Sequence, residues 1–227
     1  MNRIFVDFEM NVVPRQLRQS AGLRQEIIEI GAVRMDGDYQ VTDTFRAYIH
    51  PQYSDFVDSK IYRLTGITSR DVAARPLLQQ GLADFAAWCG DGFTRMYAWS
   101  ESDLAQLEEE CAAKGLGDCG LLQRGRVHWV DFQRIYCRVL HERRQVSLEY
   151  ALKNCGIAPD GTLHDAADDA RNSARIMAYF HSPAFEKHLS AVAAVHQKEP
   201  SHMNALSGAL QQQLAALLAE MQEEDGD

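Results

Sequence analysis

The sequence predicts an α/β fold, a mixed β-sheet flanked by helices, followed by a C-terminal helical extension. Three observations predict it. Strand patterns cluster early, at residues 3–9, 26–35 and 41–49. Helical and short strand patterns then alternate as far as residue 181. Beyond Ser182-Pro183 the composition shifts to an apolar stripe set among glutamines. A chain of 227 residues with 46% apolar side chains supplies one sizeable core. Residues 1–182 are read as the domain and 183–227 as the extension with its acidic tail.

Each element has its own signal. Residues 3–9 (RIFVDFE) are β-branched and aromatic, the composition of a buried strand. A polar loop over residues 10–25 carries Pro14, Gly22, Arg15, Arg18 and Arg24. Residues 26–35 (EIIEIGAVRM) and 41–49 (VTDTFRAYI) are two strands, and Asp36-Gly37-Asp38 between them is a hairpin signal. An irregular stretch ends in Leu64-Thr65-Gly66-Ile67-Thr68, and a helix over 76–89 follows. A strand at 94–99 precedes a helix over 103–114; a strand at 127–131 leads to helices over 131–141 and 147–155. Ala166, Ala170, Ala174 and Met177 or Ala178 recur at helical spacing, giving a helix over 165–181. In the extension, Leu206, Leu210, Leu214, Leu217 and Met221 form one face of an amphipathic helix. That face either packs on its own domain or makes a homodimer or assembly contact. Its polar side carries Gln and Glu, which disfavours a membrane surface.

Composition excludes several classes. No apolar run approaches the roughly 20 residues of a membrane span, and Asp7 and Glu9 interrupt the opening strand, so no export signal is read there. The expected compartment is the cytoplasm. The five cysteines are scattered, odd in number and never in a CxxC pair, which suits reduced structural thiols rather than a disulfide framework or zinc site. The net charge of −9 is partly local, because five acids lie in the last eight residues and the rest of the chain carries −4. Of 23 basic residues 18 are arginine, the side chain suited to forked phosphate contacts. This balance excludes a basic coat for duplex DNA but not an enzyme whose carboxylates bind metal ions.

Three groups of residues carry chemistry. Asp7 and Glu9 are two apart on a strand, so both carboxylates project from one face near its C-terminal end. Such a pair either reaches solvent or holds a cation, since buried like charges repel. His164, Asp165, Asp168 and Asp169 open the last helix; capping and the helix dipole account for one or two of these acids but not for three. His164 and Asp169 are five apart, about 140° around a helix, so they face one point only if His164 lies on the preceding loop. Asp103 follows a strand and opens a helix, as a plain N-cap or as a ligand at the carboxyl edge of the sheet.

Taken in order, Asp7-x-Glu9, Asp103 and His164-x₄-Asp169 resemble the DEDDh group of 3′→5′ exonucleases, whose fold is ribonuclease H-like. The group includes relatives of ribonuclease T and of the proofreading subunit of DNA polymerase III. Glu26-Ile27-Ile28-Glu29-Ile30-Gly31-Ala32-Val33, Leu64-Thr65-Gly66-Ile67-Thr68 and Asp160-Gly161-Thr162-Leu163-His164 are similar to the Eri-type branch acting on histone mRNA and small RNA. The resemblance implies that Asp7, Glu9, Asp103 and Asp169 hold two divalent cations, Mg²⁺ or Mn²⁺, and that His164 is the general base. Spacing alone does not choose Asp169 over Asp168. It also implies a terminal-nucleotide pocket around Phe8, Met10, Leu64, Thr65, Gly66 and Trp99, of which Trp99 and Leu64 are equally core candidates. Arg15, Arg18 and Arg24 are candidates for the incoming strand, or a solvated loop.

The expected activity is metal-dependent 3′→5′ release of 5′-mononucleotides from single-stranded nucleic acid, with RNA indicated by the branch resemblance. The alternatives are a DNA-directed proofreading or repair exonuclease, and a catalytically idle nucleic-acid-binding member of the fold.

Overall fold

The computed structural model describes residues 3–90, 95–117, 121–122 and 127–187. The helix expected over 206–221, and any dimer contact through it, lie outside the described residues. A five-stranded mixed sheet forms the centre. Its strands are β1 (Arg3–Val12), β2 (Gln25–Met35), β3 (Val41–Tyr48), β4 (Arg95–Ala98) and β5 (His128–Asp131), in the order β3-β2-β1-β4-β5. The β1–β2 and β2–β3 pairs are antiparallel, whereas β1–β4 and β4–β5 are parallel. Strand β1 is therefore central, and the C-terminal ends of β1, β4 and β5 share one edge.

Strand alternation divides the core between the two faces of the sheet. Ile4, Val6 and Phe8 of β1, with Met96 and Ala98 of β4, pack against α4 (Leu78–Cys89) and α5 (Ser102–Ala113). Phe5 and Tyr97 point the other way, into a cluster with α6 (Phe132–Val139), α7 (Leu148–Asn154) and α8 (Ala166–Phe180). Phe185, beyond α8, meets Tyr179 edge-on and Phe180 at a tilt in that same cluster. Among the described residues no helix is long and apolar enough to cross a membrane.

Several local expectations are corrected. The loop placed at 10–25 is shorter, because β1 runs on to Val12 through a bulge after Glu9, and α1 (Arg18–Ala21) closes on Gly22 at φ 67°. The β2–β3 hairpin forms, but its turn spans Asp36 to Gln40 and its left-handed residue is Tyr39, at φ 59°, not Gly37. The Asp36 side chain accepts from the N–H groups of Asp38 and Gln40, so an Asx-type turn supplies the geometry. The stretch read as irregular before residue 68 contains α2 (Ser59–Thr65), and α3 (Ser69–Ala73) follows at once. Asp58 caps α2, and a Thr68/Asp71 capping box starts α3.

Candidate active site

The parity of β1 that buries Phe5 on the α8 side sends Asp7 and Glu9 to that side too, at the carboxyl edge. Across the ladder, Asp7 pairs with Gly31 and Glu9 with Glu29. A Cβ on Gly31 would lie 2.1 Å from the backbone of Ala166 and Ala167. The absent side chain thus lets the first turn of α8 sit directly on β2 and brings its acids to those of β1. Asp165 caps this helix, accepting from Asp168 N–H at 3.1 Å.

The structure separates the neighbouring acids of α8. Asp168 turns outward, accepting from Thr162 N–H at 2.9 Å and pairing with Arg171 at 2.6 Å. Asp169 turns inward: its Oδ2 accepts from His164 N–H at 2.9 Å, while Oδ1 is buried with no hydrogen-bond partner. Asp103 is not the N-cap of α5. Glu101 holds that position without a side-chain hydrogen bond. Asp103 is buried in the first turn and accepts from Phe8 N–H at 3.1 Å, which fastens it beside Asp7. His164 lies on the loop before α8 at φ 63°, a left-handed conformation that costs a β-carbon residue on the order of 1 kcal/mol. Its backbone N–H bond to Asp169 holds it there, and its imidazole is exposed. One donor atom each from Glu9, His164 and Asp169 lies within 4.8 Å of the others.

Burial and mutual repulsion shape the electrostatics. Burial first, then the charges of Asp103, Glu9 and Asp169, raise the Asp7 carboxyl well above its ordinary value. Burial, with Asp169 and Glu29, lifts Glu9 to about 9. Burial also raises Asp103 to about 7 and Asp169 to about 6. No cation of the protein is among the principal influences on Asp7 or Glu9. A divalent cation fits this cluster on two counts: the donors are hard oxygens, and Asp169 Oδ1 is a buried acceptor awaiting a partner.

One residue at the site was not selected by sequence reasoning. Glu29 is 1% exposed, and its Oε2 accepts from Ala166 N–H at 3.4 Å. Arg46 on β3 lies 3.5 Å from its Oε1 and also hydrogen-bonds Asp165. This arginine therefore ties β2 and β3 to the N-terminus of α8. The available signal was a pair of acids, Glu26 and Glu29, set among isoleucines in a strand; burial of an unpaired carboxylate is costly enough to demand a partner.

The other candidates are spread around this centre. Phe8 is buried beneath it in the α4–α5 core, and Met10 is partly buried on the same layer. Trp99 is 9% exposed, packs against Phe132 and Tyr136, and donates its indole N–H to Val146 O at 3.2 Å. Leu64 is not core, being 49% exposed at the end of α2. Thr65 bonds back to Ile61 O, and Gly66 ends the helix at φ 76°. Arg18 donates to Val13 O within its own loop, while Arg15 and Arg24 are exposed.

The RNase_T family model, described as an exonuclease, matches residues 4–177. ERI1 exoribonuclease 2 of Homo sapiens is 30% identical over 173 residues, covering 66% of this chain and 24% of that protein. The 3′-5′ exonuclease Snipper of Drosophila melanogaster is 26% identical over 198 residues, covering 77% of this chain and 67% of that one. The chain spans between 24% and 33% of the length of the ERI1 exoribonuclease 2 relatives from four vertebrates. In fold it is similar to the nuclease domain of 3′hExo, a DEDDh family member solved with rAMP. The TM-score is 0.68 at 23% identity, over 79% of this chain and 91% of that one. The chain belongs to the RNase_T exonuclease family.

Proposed function

We propose that this chain is a 3′→5′ exonuclease that uses divalent cations to release 5′-mononucleotides from single-stranded RNA. The observation that carries the reading is the convergence of Asp7, Glu9, Asp103 and Asp169 at one sheet edge with His164 beside them. The relatives named exoribonucleases support RNA over DNA. Asp7, Glu9, Asp103 and Asp169 would hold the cations, Mg²⁺ or Mn²⁺. Bound there, the cations would offset the clustered negative charge and stabilise charge developing on the scissile phosphate. The exposed imidazole of His164 takes the proton of the attacking water. A P–OH bond forms, the P–O3′ bond to the upstream nucleotide breaks, the departing O3′ takes a proton from solvent to become the new 3′-hydroxyl, and a 5′-mononucleotide leaves. The Leu64-Thr65-Gly66 turn offers an exposed apolar side chain for the terminal base.

Oligonucleotides labelled at either end, in matched RNA and DNA forms, test this with Mg²⁺, Mn²⁺ and EDTA in parallel. The expected result is RNA shortening from the 3′ end, abolished by EDTA. Asp7→Asn is expected to lower turnover by at least about 100-fold while RNA binding persists. Turnover preserved in that variant would refute the carboxylate-held cation mechanism, and faster loss of DNA would reassign the substrate.

A further inference from the structure

The arginines of α6 and of the turn after it are unlike the rest of this acidic chain. Between residues 134 and 144 stand four arginines, Arg134, Arg138, Arg143 and Arg144, against one acid, Glu142. That local balance of +3 sits in a molecule of net −9. All four arginines are exposed; the Arg134 charge acts on Asp131 at the start of the helix, and no salt bridge engages Arg138, Arg143 or Arg144 among the described residues. Glu142 is instead engaged by the Tyr150 hydroxyl at 3.2 Å. Arg134 and Arg138 are four apart on one helix face, opposite the buried Phe132, Gln133, Tyr136 and Val139. Like charges at that spacing weaken a helix, so the folded chain alone gains nothing from them.

Placement gives the charge a direction. Asp131, the last residue of β5, caps α6 and pairs with Ala98 at the end of β4. The helix therefore starts at the edge where Asp7, Glu9 and Asp103 gather. Eight residues carry it about 12 Å away from that edge. The following turn brings the chain back. Its Val146 carbonyl accepts from both Trp99 Nε1 and Gln133 Nε2, at 3.2 and 2.8 Å. Midway, Cys137 Sγ donates to Arg144 O at 3.4 Å and Glu142 N–H to Cys137 O at 2.9 Å. The backbone under Arg143 and Arg144 is thus tied down, and Val146 packs in the same cluster as Leu163, the neighbour of His164. A fixed backbone that holds out unpaired guanidinium groups beside a nuclease centre has the chemistry of a phosphate track.

We propose that Arg138, Arg143 and Arg144, with Arg134 nearest the site, bind the phosphates of single-stranded RNA upstream of the 3′ end being cut. This rests on the exonuclease reading. The test compares the full chain with the triple variant Arg138→Gln, Arg143→Gln, Arg144→Gln on a dinucleotide and on an RNA of about 12 nucleotides. The dinucleotide is too short to reach the track, so its kcat/KM is expected to stay within about 2-fold. Losing three phosphate contacts, each worth roughly 0.7 in the salt slope of single strands, should cut the salt sensitivity of long-RNA binding. Between about 50 and about 200 mM salt the parent chain should lose roughly 20-fold more affinity than the variant. Equal salt slopes for the two proteins would overturn the track. So would equal losses on dinucleotide and long RNA, which would mark a structural role. Fluorescence anisotropy with the long RNA gives the same comparison without turnover. A parent chain that binds with the steeper slope but does not cut would therefore fail the exonuclease reading while upholding the track.

Discussion

Removing the Arg46 guanidinium would leave Glu29, 1% exposed, without the only cation among its principal influences. Glu29 is already raised to about 7, first by burial and then by Asp165, with Arg46 opposing. Breaking a fully buried ion pair from one side costs about 3–5 kcal/mol. The Arg46 side chain is 37% exposed, so solvent screening lowers the expected cost of Arg46→Met to about 1–2 kcal/mol. Urea denaturation reads this directly. Adding Glu29→Gln should restore about half the loss, since the orphaned charge goes with it. Simple additivity of the two substitutions would mean that the pair is not coupled. Because Arg46 also holds Asp165, next to His164, Arg46→Met should lower kcat more than it raises KM, and Arg46→Lys should recover part of it.

At the scale of elements, docking of α8 on β2 decides whether the site forms. Gly31→Ala places a methyl group 2.1 Å from the Ala166 and Ala167 backbone, a clash that no side-chain rotation relieves. The helix must shift, and a loss of about 3 kcal/mol with a large fall in turnover is expected. Gly37→Ala is the control: nothing lies within 4 Å of its added carbon, so stability should stay within about 0.5 kcal/mol. Melting curves and RNA turnover of the two variants check the contrast. The same contacts explain what the sequence could reveal. The apolar runs at 3–9 and 26–35 were legible because both strands are buried on both sides, and the alanine spacing of α8 was legible because one face must be small enough to reach the sheet. The helices α2 and α3, at seven and five residues, are too short to show a period and rest on caps instead. Asp36-Gly37 correctly marked a turn, yet side-chain acceptance by Asp36 selected a different turn type. Asp103 could be cap or ligand in one dimension. Only the parallel pairing of β1 with β4 brings it to Phe8, and only the strand register brings Glu29 to Glu9.

For the whole molecule, the clustered acids make stability depend on pH with an unusual sign. Glu9, Asp103, Glu29 and Asp169 are raised to about 9, 7, 7 and 6, each from an ordinary value of 3.8 or 4.5. Across the interval from about pH 4 to about pH 9 the folded, metal-free chain therefore keeps protons that the unfolded chain has released. Stability then falls as pH rises, because the derivative follows protons bound in the unfolded state minus those bound in the folded state. A salt-bridged carboxylate gives the opposite slope. In EDTA, the melting temperature is expected to drop on the order of 5 °C or more from about pH 5 to about pH 8. Mg²⁺ or Mn²⁺ competes with protons for the oxygens of Glu9, Asp103 and Asp169, so the stabilisation it confers should grow over that interval. Asp169→Asn removes one raised carboxyl together with the foremost charge raising Glu9, and should flatten both trends together. A melting temperature in EDTA that climbs with pH, or a cation effect indifferent to pH, would mean that Glu9, Asp103 and Asp169 are already ionised and satisfied within the protein, and that no cation is needed to hold them together.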